Sequence, residues 1–338
     1  MTTTTEELAR AQPSAGRARW LRRNGWTAGV WVLLFALVGW YATLIPAFGD
    51  FQIASIAKNS LPTAYLAVSQ AVVIISGGLD LGVGAMMVLA NSVSALYMEG
   101  QGLGVTLFIG VAVVLGAALL NGIVGWVIVT SRVPDIIVTL ATLFVFSGLA
   151  LMILPSPGGG TSDGFRWIFT GSTAGISANY WPSIFALAVP VTILAWWLKR
   201  TRSGLSLYSV GSDETAAFLS GVSVGKAKVI AYAIGGAFAA LAGLAITAIT
   251  ATGDPRFVNA SNGTLNSVAA VVLGGIALTG GVGSVIGAVA AGIVLFILNP
   301  ILTSMAINPN TAQVIRGALI VAVMMVAGLL ELRRQRAE

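Results

Sequence analysis

Apolar residues run through this chain in long blocks, separated by short polar or glycine-containing breaks. Crossing a hydrocarbon core of ~30 Å takes about 20 apolar residues as helix. Blocks of this kind fall near 26–45, 61–76, 81–98, 103–129, 134–154, 182–198, 229–250, 265–278, 284–303 and 314–331. The pattern therefore predicts an all-α integral membrane protein of about ten transmembrane helices. The second and eighth blocks are short, and Gly77-Gly78 and Gly280-Gly281 end them. Glycine and alanine recur inside several blocks, as in GGAFAALAG at 235–243 and GAVAAG at 287–292. Small residues let membrane helices approach closely, so these read as packing faces.

One segment breaks the pattern. Residues 209–228, SVGSDETAAFLSGVSVGKAK, place Asp213, Glu214, Lys226 and Lys228 among small residues between two apolar blocks. Glu214 to Leu219 can form a short helix, with Ser212 or Asp213 as N-cap and an acid in the first turn. Gly221 can end that helix in a left-handed conformation. Ala216 and Ala217 offer little side chain and permit close approach to a partner, while Phe218 and Leu219 supply apolar anchors.

Charge orients the blocks. Most of the 18 Lys and Arg fall in three clusters: Arg10, Arg17, Arg19, Arg22 and Arg23; Lys199, Arg200, Arg202, Lys226 and Lys228; and Arg333, Arg334 and Arg336. Six and then four blocks separate the clusters, so one assignment places all three in the cytoplasm, as the positive-inside rule requires. Both termini and the segment 199–228 are expected there. Residues 1–25 read as a disordered basic segment up to about Arg19, 26–331 as a single transmembrane domain and 332–338 as a basic tail. No small-residue cleavage site follows the first block, which is expected to be retained. The opposite face carries a short loop with Asp50 and Lys58, a Gly/Ser/Thr-rich loop at 155–181 with Trp167, Tyr180 and Trp181, and segments near 252–264 and 304–313.

Composition narrows the chemistry. Of 338 residues, 57% are hydrophobic and 9% charged, against about 25% charged in soluble proteins. The net charge is +6, which in a membrane protein reports topology rather than nucleic-acid binding. There is no Cys and no His, which excludes thiolate chemistry, disulfides and the commonest metal ligand and proton shuttle. GVSVGKA at 221–227 approximates a phosphate-binding loop, but it is one residue short and Ala227 replaces the required hydroxyl. GGVGSVIG at 280–287 lacks the glycine spacing and the βαβ setting of a dinucleotide site. Any nucleotide hydrolysis is therefore expected on another chain, and an enzyme has almost no candidate residues.

Few polar side chains lie at membrane depth. Asp80, after the Gly77-Gly78 break, reads as an N-cap of the third helix ahead of a role at a gate or substrate. Asn91, Asn121, Thr139 and Thr142 read by default as helix-to-helix hydrogen bonds. Their sharper reading is a polar lining for a neutral, hydroxyl-rich solute. An ion-coupled secondary carrier, the alternative class, would keep more acids at this depth.

Four segments, in order, resemble the permease subunits of bacterial ATP-binding-cassette importers of the ribose/monosaccharide type. They are GGLDLGVG at 77–84, VPDIIVTLATLFVFSGLA at 133–150, GSDETAAFLSGVSVGKAK at 211–228 and AAVVLGGIALTGGVGSVIG at 269–287. The resemblance implies a type II importer-like fold in the bacterial inner membrane, with two permease copies forming the pathway. It implies a cytoplasmic ATPase, often with two nucleotide-binding halves, that holds the ATP and Mg and docks on the loop containing Gly211, Asp213, Glu214, Ala216, Ala217, Phe218, Leu219, Gly221 and Lys228. It also implies an extracytoplasmic binding protein that delivers a sugar, polyol or autoinducer-2.

Overall fold

The computed structural model describes residues 12–172 and 179–308, with 310–312, 314, 315, 317, 318, 321 and 325 beyond them. Among these residues the chain is helical without a strand. Its helices are α1 (Gln12–Leu44), α2 (Asp50–Asn59), α3 (Leu61–Ile75), α4 (Val83–Met98), α5 (Leu103–Ser131), α6 (Asp135–Ile153) and α7 (Asp163–Thr170). There follow α8 (Trp181–Arg200), α9 (Arg202–Ser212), α10 (Glu214–Leu219), α11 (Val224–Thr250), α12 (Phe257–Leu273) and α13 (Val285–Ser304). Among the described residues six helices have the length and hydropathy to cross a membrane: α1 over Gly25–Leu44, α5, α6, α8, α11 and α13. The protein is thus a multi-pass membrane protein.

The shorter helices α3, α4 and α12 fill the interior. At 1.5 Å per residue, the 15 residues of α3 reach only about 22 Å, short of the ~30 Å core. The breaks after α3 and α12 are therefore non-helical backbone at depth, tolerated only where protein covers it. Protein covers most of the first break and the start of the second: Ser76, Gly78 and Asp80 are buried, as are Gly274 and Ile276, while Gly77, Leu278 and Thr279 are exposed. α11 packs against α3, α4 and α5, and α13 against α1 and α3. The small residues expected to mediate packing do so. A side chain at Gly243 would press on Ala90, and one at Gly292 on the backbone of Thr63 and Ala64. By contrast, α5, α6 and α8 turn large apolar side chains such as Phe108, Met152 and Trp196 outward, as lipid-facing helices should.

Several expectations need correction. The helix containing the first block starts at Gln12, where irregular chain was expected. Alanine, arginine and leucine are strong helix formers there, and Pro13 falls in the first turn, where proline is tolerated. The loop with Asp50 and Lys58 is the helix α2, whose ends those two charges suit electrostatically. The 155–181 loop contains α7, capped by the Ser162 hydroxyl, which accepts the Phe165 N–H at 3.3 Å. The eighth block is displaced: α12 begins at Phe257 and ends at Leu273, where Gly275 turns left-handed (φ 81°) well before Gly280-Gly281. The tenth block, 314–331, lies mostly outside the described residues, as do 1–11 and the tail 332–338.

The two ends of the bundle are separately organised. At one end, Gly158 and Gly253 exchange backbone hydrogen bonds of 3.1 and 2.8 Å, joining the loop before α7 to the loop after α11. α9 and α10 occupy the other end, between α8 and α11.

Candidate functional site

The polar hairpin at 209–228 forms from local capping chemistry. α9 ends at Ser212, and Asp213 adopts extended backbone. Its Oδ1 accepts the Ala216 N–H at 2.9 Å, capping α10 as expected for Asp213 rather than Ser212. Gly221, left-handed at φ 83°, donates its N–H to the Phe218 carbonyl at 2.9 Å, and Val222 donates to Ala217 at 3.0 Å. This paired closure is a Schellman motif, and it fixes the exit of the helix. Lys228 Nζ meets Glu214 Oε2 at 2.8 Å, bracing α10 against the start of α11. The result is a six-residue helix, rigid at both ends, with Phe218 68% and Leu219 79% exposed.

Ala217 requires a correction. It is buried, so it faces the protein's own interior and cannot contact a partner. Ala216 is exposed, so of the two alanines it alone is open to an approaching partner. The reason is helical geometry: α10 has one inward face, and Ala217 with the Val222 that follows it packs there.

Gly211 and the glycine pairs meet at one point. Gly281 N–H donates to the Ile75 carbonyl at 3.0 Å. A Cβ on Gly280 would lie 2.8 Å from the Gly211 oxygen and 2.9 Å from the Gly77 Cα. Gly77, Gly280 and Gly281 all have positive φ, and backbone packs on backbone with no room for side chains. The end of the hairpin's supporting helix thus sits directly on the breaks that follow α3 and α12. Tyr208 adds a tie, donating its hydroxyl to the Gly283 carbonyl at 3.2 Å.

The loop between α3 and α4 is held by a closed polar network. Asp80 Oδ1 accepts the Gly82 N–H at 2.7 Å and Oδ2 accepts Asn121 Nδ2 at 3.1 Å. The N-cap of α4 is Gly82, with no side-chain cap; the expectation that Asp80 caps this helix is corrected. Asp80 lies two residues before the cap position, and its Oδ1 closes a local turn on the Gly82 N–H instead of reaching the first-turn N–H groups of α4. Thr139 Oγ1 bonds the carbonyls of Asp135 and Leu79 at 2.8 and 3.2 Å. The Tyr232 hydroxyl lies 3.0 Å from Asp135 Oδ2 and 3.3 Å from the Leu79 oxygen. Thr142 bonds back to Thr139 in its own helix at 2.8 Å. Near Gly78, a Cβ would sit 2.9 Å from Asp135 Oδ2 and 3.0 Å from the Tyr232 hydroxyl.

Asn91 belongs elsewhere. Its amide donates to Thr247 Oγ1 at 2.9 Å and to the Thr252 carbonyl at 3.2 Å, while its oxygen accepts the Asp254 N–H at 2.9 Å. It ties α4 to α11 and to the loop beyond, at the end opposite the hairpin. There it borders a cavity of about 370 Å³ framed also by Thr63, Asp254, Asn259, Asn262 and Asn266. Sequence reading left these three asparagines out, although their i, i+3, i+7 spacing on one helix face was visible. Arg256 Nε lies 2.8 Å from each Asp254 oxygen, and this pairing holds the Asp254 carboxyl below the usual carboxylate range.

The comparisons with known proteins fall into place on this geometry. Residues 52–324 match the model of a family described as "Branched-chain amino acid transport system / permease component". The chain is 30% identical over 303 residues to the ribose import permease protein RbsC of Escherichia coli (strain K12), covering 87% of this chain and 91% of that protein. It is 30% identical over 312 residues to the autoinducer 2 import system permease protein LsrC of Enterobacter sp. (strain 638), covering 90% and 88%. Against the xylose transport system permease protein XylH of Escherichia coli (strain K12) it is 30% identical over 327 residues, covering 80% and 82%. No solved structure matches the chain.

Proposed function

The chain belongs to the transport-system permease family whose model it matches over residues 52–324, and on that premise we propose that it is the membrane-spanning subunit of an ATP-driven importer for a monosaccharide or similar small polar solute. The family description names branched-chain amino acids, whereas the relatives are import permeases for ribose, xylose and autoinducer 2. The asparagine-rich cavity, whose one lining carboxylate Asp254 is paired with Arg256, favours the sugar side of that division. A secondary carrier is the weaker reading, because relatives at this similarity are named as import-system permeases.

In this reading the fold is of the type II importer kind. Two copies, in the bacterial inner membrane, enclose the pathway. The basic clusters put both termini and the hairpin end in the cytoplasm. A separate ATPase carries ATP and Mg, and an extracytoplasmic binding protein presents the solute at the end bearing 155–172 and 251–256.

One observation carries the coupling role: the exposed Phe218–Leu219 pair on a helix capped at both ends. Each such side chain gains about 1.5–3 kcal/mol when buried, and nothing among the described residues covers them. A rigid tip, sitting through Gly211 on the breaks after α3 and α12, suits transmission of nucleotide-driven motion into the bundle. Phe218→Asp with Leu219→Asp is expected to abolish co-purification of the ATPase while the amount of permease in the membrane is unchanged. Normal co-purification and uptake by this variant would reduce the hairpin to a connector.

A further inference from the structure

The cavity at the end opposite the hairpin has features that the coupling reading does not explain. Asn259, Asn262 and Asn266 lie along one face of α12, and by helix rise Asn266 is ~14 Å from the start of that helix. Asn262 is exposed, and Leu265 on the same side is 67% exposed. Neither Asn262 nor Asn266 has a hydrogen-bond partner among the described residues. An amide aimed into hydrocarbon is costly, so this face fronts water or a polar ligand. The cavity volume of about 370 Å³ lies within the ~300–1,000 Å³ of small-molecule sites.

A second observation lies across from it. Thr63 and Leu66 of α3 line the same cavity, and Gln70 continues their face one turn further toward the middle of the bundle. Gln70 is fully buried, and neither its amide nitrogen nor its oxygen has a partner among the described residues. Buried polar groups are nearly always paired, so an unpaired amide here marks a place where water or a passing hydroxyl completes the bonding.

We propose that Asn262 and Asn266 form an entry subsite for a neutral polyhydroxylated solute, with Gln70 the next hydrogen-bonding station inward. The inference rests on the importer reading and gives its substrate class a site. Each carboxamide presents a donor and an acceptor, which matches a hydroxyl that both donates and accepts. The charged groups at the rim are spent on each other, since Arg256 holds Asp254 through both carboxylate oxygens. Among the described residues that line the cavity or its rim, that leaves no unpaired cation for an anionic ligand and none for the carboxylate of an amino acid. The apolar wall from Leu66, Met87 and Ile246 suits the C–H faces of a sugar ring.

The test uses the whole transporter, permease with its ATPase and binding protein, in proteoliposomes. Radiolabelled D-ribose, D-xylose, D-galactose and erythritol serve as probes. Asn262→Leu with Asn266→Leu is expected to lower uptake of the transported probe at least tenfold, with subunit ratio and permease copy number unchanged. In the cysteine-free chain, Asn262→Cys should react with a water-soluble thiol reagent, and that probe should slow the reaction several-fold while L-leucine does not. Undiminished uptake by the double variant, or protection by L-leucine instead, overturns the subsite while leaving the importer intact. Loss of assembly in the double variant also overturns it, assigning the face to subunit contact. Failure of the unmodified transporter to move any probe strikes the importer reading itself, and the subsite with it.

Discussion

Two sets of polar residues sit inside this bundle, and they look alike in the sequence but differ in what their hydrogen bonds do. Around the break between α3 and α4, Asp80, Asn121, Asp135, Thr139 and Tyr232 bond one another and the backbone, so the loop is pinned to three helices. Along α12, Asn262 and Asn266 point at a cavity and bond nothing among the described residues. In the closed set each member has a hydrogen-bond partner, which offsets part of the cost of burying it. The open set is costly unless something occupies the space before it. Polar residues at membrane depth therefore divide by whether their bonds are spent, and only the unspent ones are free to meet a solute.

The largest effect should come from opening the closed set. Asp80→Leu strands the Gly82 N–H and the Asn121 amide, at about 1–3 kcal/mol for each buried group. Its expected outcome is a sharp loss of folded permease and a lower melting temperature in detergent, whereas Asn266→Leu leaves both unchanged. Equal damage from the two would erase the distinction. Gly211→Ala comes next. The added methyl runs into the Ile75 carbonyl and the Gly281 amide, an overpacking of about 1–3 kcal/mol. It should weaken coupling of ATP hydrolysis to uptake more than it weakens solute entry. The smallest effect belongs to Lys228→Ala. Its partner Glu214 is 57% exposed, and pairs near water contribute about 0–1 kcal/mol. The melting temperature should hardly move, and a large fall would show that the hairpin is far less self-supporting than its caps imply.

How much of this was legible in the sequence depended on range. α10, with Asp213 before it and Gly221 after it, was readable because caps are made by residues three or four apart. The six long helices were readable from hydropathy. Asp80 was not, since the decisive partner Asn121 lies 41 residues away and no local pattern announces it. Ala217 was misassigned because six residues carry too little periodicity to fix an inward face. The α12 asparagines were hidden by the method that found the spans. A hydropathy reading starts the eighth block at 265 and leaves Asn259 and Asn262 in a polar loop. The helix begins at Phe257 because α4 and α3 pack against its Ala260, Gly263 and Thr264, a tertiary cause that local composition does not contain.

The division between spent and unspent polar groups is tested most directly by thiol reactivity. Single cysteines would replace Thr139 and Asn121 in the closed set, and Asn262 and Asn266 in the open one. The rate of modification by a small water-soluble reagent is then measured for each in the assembled transporter. The account predicts rapid reaction at 262 and 266, and reaction at least tenfold slower at 121 and 139. Comparable rates at all four positions, or faster reaction in the closed set, would contradict it.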